Sequence, residues 1–230
     1  MIRLAQRSIA QMVNKHRQIA FYGGSFDPVH FGHLLIAEKL LEQFDLDAFV
    51  FIPAFHAPHK PHRKPTSPFH RYAMLCLATE STARMRVSLI EIELPERPYS
   101  VETLARLNEE SPEDEIFFVI GADSWRDIRT WREWEKVLTM SNHIVVTRPG
   151  HEITLSHVTP EIQERIVDLR DGRQYNRAAG DGLKIFISDA VNIDISSSDI
   201  RRKIREDAPD WRADLNNKVA NYIEKYQIYR

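Results

Sequence analysis

Cysteine is nearly absent from this 230-residue sequence. Cys76 stands alone in the apolar run YAMLCLA, so no intrachain disulfide can form, and a thiol in that setting reads as core rather than nucleophile. An excess of one charge is missing too. Thirty-one Lys and Arg face 33 Asp and Glu, a formal net charge of −2, which removes the global electrostatic case for a nucleic-acid or membrane-surface partner. Any anion site must therefore be built locally. No apolar window approaches the roughly 20 residues that span a bilayer, so the expectation is a soluble, cytoplasmic protein with no membrane partner. Glycine is scarce as well: there are eight, and two of them are adjacent, Gly23 and Gly24.

What is present suits one sizeable core. The chain is 43% hydrophobic, and its length exceeds the usual single domain without reaching two. Residues 1–18 carry basic residues and no acid. That composition fits either an organellar transit segment or a short amphipathic extension using Ile2, Ile9, Met12 and Val13. Residues 19–230 are expected to form one domain ending in helices from about 197.

Beyond the extension, runs rich in Val, Ile and Phe alternate with stretches of helical period. This is the pattern of strands joined by helical crossovers into a doubly wound, Rossmann-like parallel α/β sheet. Strands are expected at 18–23, 48–53, 85–93, 115–121, 143–149 and 183–188. Helices are expected near 33–43, 68–81, 100–110, 131–139, 160–169, 197–206 and 215–226. Two stretches read as loops: 54–68, rich in Pro, His and Lys, and the polar 170–182. The first follows a strand's C-terminal end, on the side where open α/β sheets bind ligands.

The adjacent glycines open the stretch GGSFDPVHFGH, Gly23 to His33. Glycines after a buried strand let the chain turn and let a ligand approach the backbone. The helix start that follows offers unpaired N–H groups and partial positive charge, which suits phosphate. His30 and His33, three residues apart across Gly32, add donors there. A zinc site and a purely structural turn compete with this reading, while the G-x-G-x-x-G spacing of dinucleotide sites is absent. Far along the chain, NIDISSSDIRRKI places Ser196, Ser197 and Ser198 before another helical stretch, with Arg201 and Arg202 in it. One serine would be an ordinary N-cap. Three, with the arginines, make a second anion-binding helix start, and the pair points to a nucleoside triphosphate.

GGSFDPVHFGH together with ISSSDIR resembles the nucleotidyltransferase superfamily of the H-x-G-H and I-S-S-T-x-I-R motifs. HAPHK, RYAMLCLA, PYSVETL, VIGADSW, Trp131 and VVTRPG follow in order, so the chain is similar, over roughly 18–229, to the bacterial nicotinate-nucleotide adenylyltransferases. That resemblance implies AMP transfer from ATP to nicotinate mononucleotide, in the pathway to NAD, with Mg²⁺ accompanying ATP. It implies that His30 and His33 contact the ATP phosphates, Lys60 neutralises them, and Ser196, Ser197, Ser198 and Arg201 hold the β/γ end. Gly23, Gly24, Ser25, Phe26, Gly121, Asp123 and Ile195 would complete the ATP site. Tyr99, Ser100, Thr103, Trp131 and Arg148 would serve the mononucleotide, with Trp131 stacking on the pyridine ring. Ser100 stands where the family has threonine, and Glu102 where it has aspartate. Rival readings keep the chemistry with nicotinamide mononucleotide or phosphopantetheine as acceptor, or keep the fold as a non-catalytic nucleotide binder. A class I aminoacyl-tRNA synthetase lacks its K-M-S-K-S loop here. Oligomeric state stays open, a homo-oligomer included.

Overall fold

The computed structural model describes residues 16–55, 65–93, 98–147, 153–176, 182–189, 191 and 193–230. Seven parallel strands form the sheet: β1 (Gln18–Gly24), β2 (Ala48–Pro53), β3 (Met85–Val87), β4 (Glu115–Gly121), β5 (Asn142–Val146), β6 (Ile166–Asp168) and β7 (Ile185–Ser188), in the order β3-β2-β1-β4-β5-β7-β6. The helices are α1 (Phe31–Gln43), α2 (Pro68–Thr79), α3 (Ser100–Glu110), α4 (Ala122–Arg126), α5 (Trp134–Leu138), α6 (Pro160–Gln163), α7 (Ser197–Arg205) and α8 (Asn217–Lys225), with a 3-10 turn at Ile128–Thr130. The doubly wound architecture expected from the alternation is the one found.

Strand residues alternate between two cores, because successive side chains leave a strand on opposite faces. Ala20, Tyr22, Phe49, Phe51, Phe117 and Val119 pack against α1, α2, α7 and α8. Ile19, Phe21, Phe118 and Ile120 pack with Leu104, Trp125, Val137 and Ile162 on the other face. With both faces covered, the strands need nearly continuous hydrophobic sequence, as in Glu115–Gly121. The strand order reverses at β1, which pairs with β2 on one side and β4 on the other. In open α/β sheets the crevice at that reversal, beyond the strands' C-terminal ends, is where ligands bind. Gly23-Gly24 and Gly121 lie there.

Several expectations need correction. The strand expected over 85–93 stops at Val87, where it pairs with β2. Beyond it the Ser88 hydroxyl accepts from Ile90 N and the chain turns, although its apolar alternation continues. The helix expected over 160–169 is one turn, and β-branched Ile166 and Val167 join the sheet edge beside β7. The helix expected from 131 begins at Trp134, after the 3-10 turn, and the short α4 lay inside a stretch read only as motif. β5 ends at Val146 and β7 begins at Ile185. Gln18 belongs to β1, while residues 1–15 lie outside the described residues. No helix among the described residues is long and apolar enough to cross a membrane.

One buried histidine gives the fold a pH dependence. His143 of β5 is 0% exposed. Its Nδ1 lies 3.1 Å from the Ser141 carbonyl. Burial, with a smaller contribution from Arg165, pulls its pKa down to about 4 against the effect of that carbonyl. The unfolded chain, with an ordinary value near 6.5, takes up this proton first as pH falls. Stability present above about pH 6.5 is therefore lost progressively toward pH 4, by about 3 kcal/mol in all. Urea titrations at pH 7.5 and 4.5 should show a loss smaller by about that amount in His143→Gln than in the parent.

Arg71 of α2, also buried, donates Nε to Thr66 O at 2.9 Å, Nη1 to Ser25 O at 2.7 Å and Nη2 to Ala54 O at 2.5 Å. A guanidinium has the forked donors to serve three carbonyls at once; an ammonium does not. Arg71→Lys should lower stability by about 3 kcal/mol in denaturant titration, since carbonyls now satisfied would be stranded.

Candidate active site

The chain leaves β1 through Gly23-Gly24 and enters a tight loop in which Phe26 has a left-handed backbone (φ +46°) and the Asp27-Pro28 peptide is cis. Phe26 folds back over the loop: a Cβ on Gly24 would lie 2.8 Å from its Cζ. Its ring packs edge-on against Tyr22, His33 and Phe51. Residue 24 must therefore lack a side chain for the turn to close.

His30 then caps α1. Its backbone N–H donates to His33 Nδ1 at 3.3 Å, and the two imidazoles stack with centroids 3.7 Å apart. Both rings are buried, at 3% and 7% exposure. Because Nδ1 of His33 accepts a backbone proton, its own proton resides on Nε2, which makes that nitrogen a donor. Gly32 is the small residue this stacking requires. A Cβ there would sit 3.0 Å from His30 Nδ1 and 3.7 Å from Ile195 Cβ.

The serine run meets this loop directly. Ser196 is the N-cap of α7 and accepts from Asp199 N at 3.1 Å. Ser197 donates its hydroxyl to Pro28 O at 2.9 Å. Arg201 donates Nη1 to Asp27 O at 2.5 Å and Nη2 to Ser198 Oγ at 2.9 Å. The starts of α1 and α7, 166 residues apart in sequence, are thus fastened side by side. Two partial positive helix ends and a guanidinium concentrate in one place, which suits a polyanion. Beside them His30, Gly32, Ile36, Thr147, Val191, Ile193 and Ile195 line a small cleft of about 10 Å³. Thr147, Val191 and Ile193 were not singled out from the sequence. Among the described residues, no group of three or more His, Cys, Asp and Glu side chains is placed to hold a metal ion.

Past β4, Gly121 ends the strand in the same crevice, and Asp123 pairs with Arg126 at 3.1 Å on the exposed side of α4. Tyr99 and Ser100 stand at the start of α3. Glu102, whose role the sequence left open, accepts the Tyr99 N–H at 2.5 Å and pairs with Arg132 at 3.1 Å. The Arg132 guanidinium lies 5.0 Å above the Tyr99 ring, which fixes the neighbour of Trp131 onto Tyr99. Of the three tryptophans weighed, Trp125 is core, donating Nε1 to Thr154 O at 2.9 Å. Trp131 and Trp134 are half-buried at the edge of the second core. Thr103 is buried beneath Tyr99, with its hydroxyl donating to Glu91 at 3.0 Å; burial raises the Glu91 pKa and this bond opposes it. Lys60 and Arg148 lie outside the described residues. Arg71 binds the carbonyls of Ala54 and Thr66, the described residues that flank the stretch carrying Lys60. Arg71 and Asp27 were missed as site residues because single bonds to carbonyls leave no periodic signal in sequence.

Comparison with known proteins agrees with this geometry. The Cytidylyltransferase-like family pattern matches residues 21–203. A relative from Desulfitobacterium hafniense named nicotinate-nucleotide adenylyltransferase is 37% identical, across 93% of this chain and 96% of its own. One of the same name from Corynebacterium glutamicum is 33% identical across 95% and 91%. The fold is similar to that of the nicotinic acid mononucleotide adenylyltransferase of Plasmodium falciparum, solved with NaAD, at a TM-score of 0.71 and 21% identity over 93% of this chain and 98% of that one. By these matches, and with both helix starts and the serine run in their expected order, the chain belongs to the nicotinate-nucleotide adenylyltransferase family.

Proposed function

We propose that this chain transfers AMP from Mg·ATP to nicotinate mononucleotide, using the paired starts of α1 and α7 to hold the triphosphate. The observation that carries the reading is the fastening of Ser197 and Arg201 to the carbonyls of Pro28 and Asp27, which makes two anion-binding helix ends into one site. The acceptor's phosphate is already an anionic nucleophile. One of its oxygens attacks the α-phosphorus, a new P–O–P bond forms, the bond from the α-phosphorus to the bridging oxygen breaks, and pyrophosphate departs with Mg²⁺. No side chain needs to take a proton. The difficulty is repulsion between two polyanions, and the remedy is preorganised donors and positioning.

In this reading the Nε2–H of His33, together with His30, faces charge growing on the α-phosphate. Arg201, Lys60 and the α7 N–H groups face the departing pyrophosphate. Gly23 and Gly24 let the phosphates approach the main chain, and Ser25 and Phe26 shape the turn. Ile195, Gly121 and Asp123 serve the adenosine part of ATP, with Asp123 on its ribose or adenine. Tyr99 and Ser100 meet the pyridine carboxylate at the start of α3, with Trp131 stacked on the ring and Arg148 on the nucleotide side.

Pyrophosphate release should be much faster with nicotinate mononucleotide than with nicotinamide mononucleotide. Equal rates would remove the carboxylate role given to Tyr99 and Ser100, and release with neither, despite ATP binding, would move the reading to another acceptor. His33→Ala should lower kcat by at least about 100-fold with the unfolding midpoint little changed, as expected for loss of a charge-stabilising donor. Near-normal turnover would refute that role.

A further inference from the structure

Beyond Val87 the chain leaves the sheet, and the turn it makes there presents a carboxylate. The Ser88 hydroxyl accepts from Ile90 N at 3.1 Å, and Ile92 N and Glu93 N both donate to Leu89 O. This turn delivers Glu91, half-buried, to a point where three segments meet. On one side the Thr103 hydroxyl of α3 donates to Glu91 Oε1 at 3.0 Å. Thr103 is buried, and its own N–H donates to Tyr99 O at 3.1 Å, so the carboxylate supports the first turn of α3. Thr103, expected at the mononucleotide, thus turns its hydroxyl to Glu91 instead. One turn further along α3, Arg106 donates Nη1 to Ile90 O at 3.5 Å. On the other side the main-chain N–H of Phe55, just past β2, hydrogen-bonds the same carboxylate, and Arg71 stands near it as a countercharge. Two donors and a guanidinium facing one carboxylate suit its ionised form, which only accepts.

Arg71 extends this set of contacts, for it also binds Ala54 O and Ser25 O. A path of polar contacts therefore runs from the turn after β1, through Arg71 and the Ala54–Phe55 segment, to Glu91, Thr103 and Tyr99. A reaction between two bound anions depends on the placement of their sites, where about 1 Å of displacement can cost about 100-fold in rate. We infer that Glu91 is a positioning residue: it holds the start of α3, with Tyr99 and Ser100, in fixed relation to the turn after β1, and so places the mononucleotide against ATP. It acts through α3 and not on the reacting atoms. The inference rests on the start of α3 being the mononucleotide site.

Substitutions along this path test it. Glu91→Gln keeps the size and one acceptor oxygen but turns an amide N–H₂ toward a donor. In that variant KM for nicotinate mononucleotide should rise about 5-fold or more and kcat should fall, while KM for Mg·ATP changes by less than about 2-fold. Thr103→Val, which removes only the hydroxyl, should raise the same KM, and Thr103→Ser, which restores it, should recover most of that loss. In kcat/KM for the mononucleotide, Glu91→Gln combined with Thr103→Val should cost little more than either alone, because both break one path. Losses that add in the double variant would overturn the inference, as would an unaffected Glu91→Gln or a KM for ATP raised as much as that for the mononucleotide. If Glu91→Gln does not fold, Thr103→Val carries the same expectation, and an unchanged KM for the mononucleotide there overturns the inference. Trp131→Ala measured in parallel separates the two readings. An unchanged KM for the mononucleotide in Trp131→Ala defeats the assignment of the mononucleotide site itself, whereas a raised KM with an unaffected Glu91→Gln defeats only the role of Glu91.

Discussion

Two main-chain carbonyls, those of Asp27 and Pro28, hold this site together. They project from the turn after β1 and accept from Arg201 and Ser197 of α7. Carbonyls buried at a turn need partners, and these partners come from the helix whose own start is needed next to α1. Satisfying the backbone and assembling the anion site are thus one event. Without the contact, each helix end would be a weak and isolated anion-binding feature of the kind found in many proteins. With it, the positive ends of two helices act on the same volume, from which side-chain burial has already removed much of the screening water.

The rest of the crevice is arranged around that junction by similar means. Arg71 ties Ser25 of the phosphate turn to both ends of the loop bearing Lys60. Glu102 caps α3 and draws Arg132 over Tyr99. In each case a charged side chain is committed to backbone groups or to another side chain, buried at Arg71 and half exposed at Glu102 and Arg132. The described ends of the loops at the C-terminal edge of the sheet are thereby tied to one another. That is what a reaction driven by positioning requires.

Much of this was legible in the sequence, for definable reasons. Nearly continuous hydrophobic runs revealed β1, β2 and β4, since strands buried on both faces cannot disguise their composition. α3 coincides with the residues expected from its pattern, because Tyr99 and Glu102 mark its start and Ser111 its end. The two helix starts were visible because glycine and serine have few reasons to cluster. What escaped was carried by long-range pairing. β6 is three residues long and exists only because β7 lies beside it. Past Val87 the alternation of Ser88–Glu93 persists, but no strand is there to receive it. The contacts of Asp27, Arg71 and Glu91 are single bonds between distant segments, and no local pattern announces them. Nor did anything mark His143, a histidine in a strand whose neighbours decide its charge.

The position of β7 bears on how such a chain emerges from the ribosome. β7 is last in sequence yet lies inside the sheet, between β5 and β6. Until Ile185–Ser188 has been made, β5 presents a full row of unpaired backbone groups and β6 has no neighbour at all. That exposed border is a template for strand addition from another nascent chain. Completion of the sheet and delivery of α7 to the turn after β1 follow within about twenty residues of each other. The border of β5 is therefore covered only when the helix that meets the turn after β1 is about to follow, so the two ends of the crevice are closed and joined almost together.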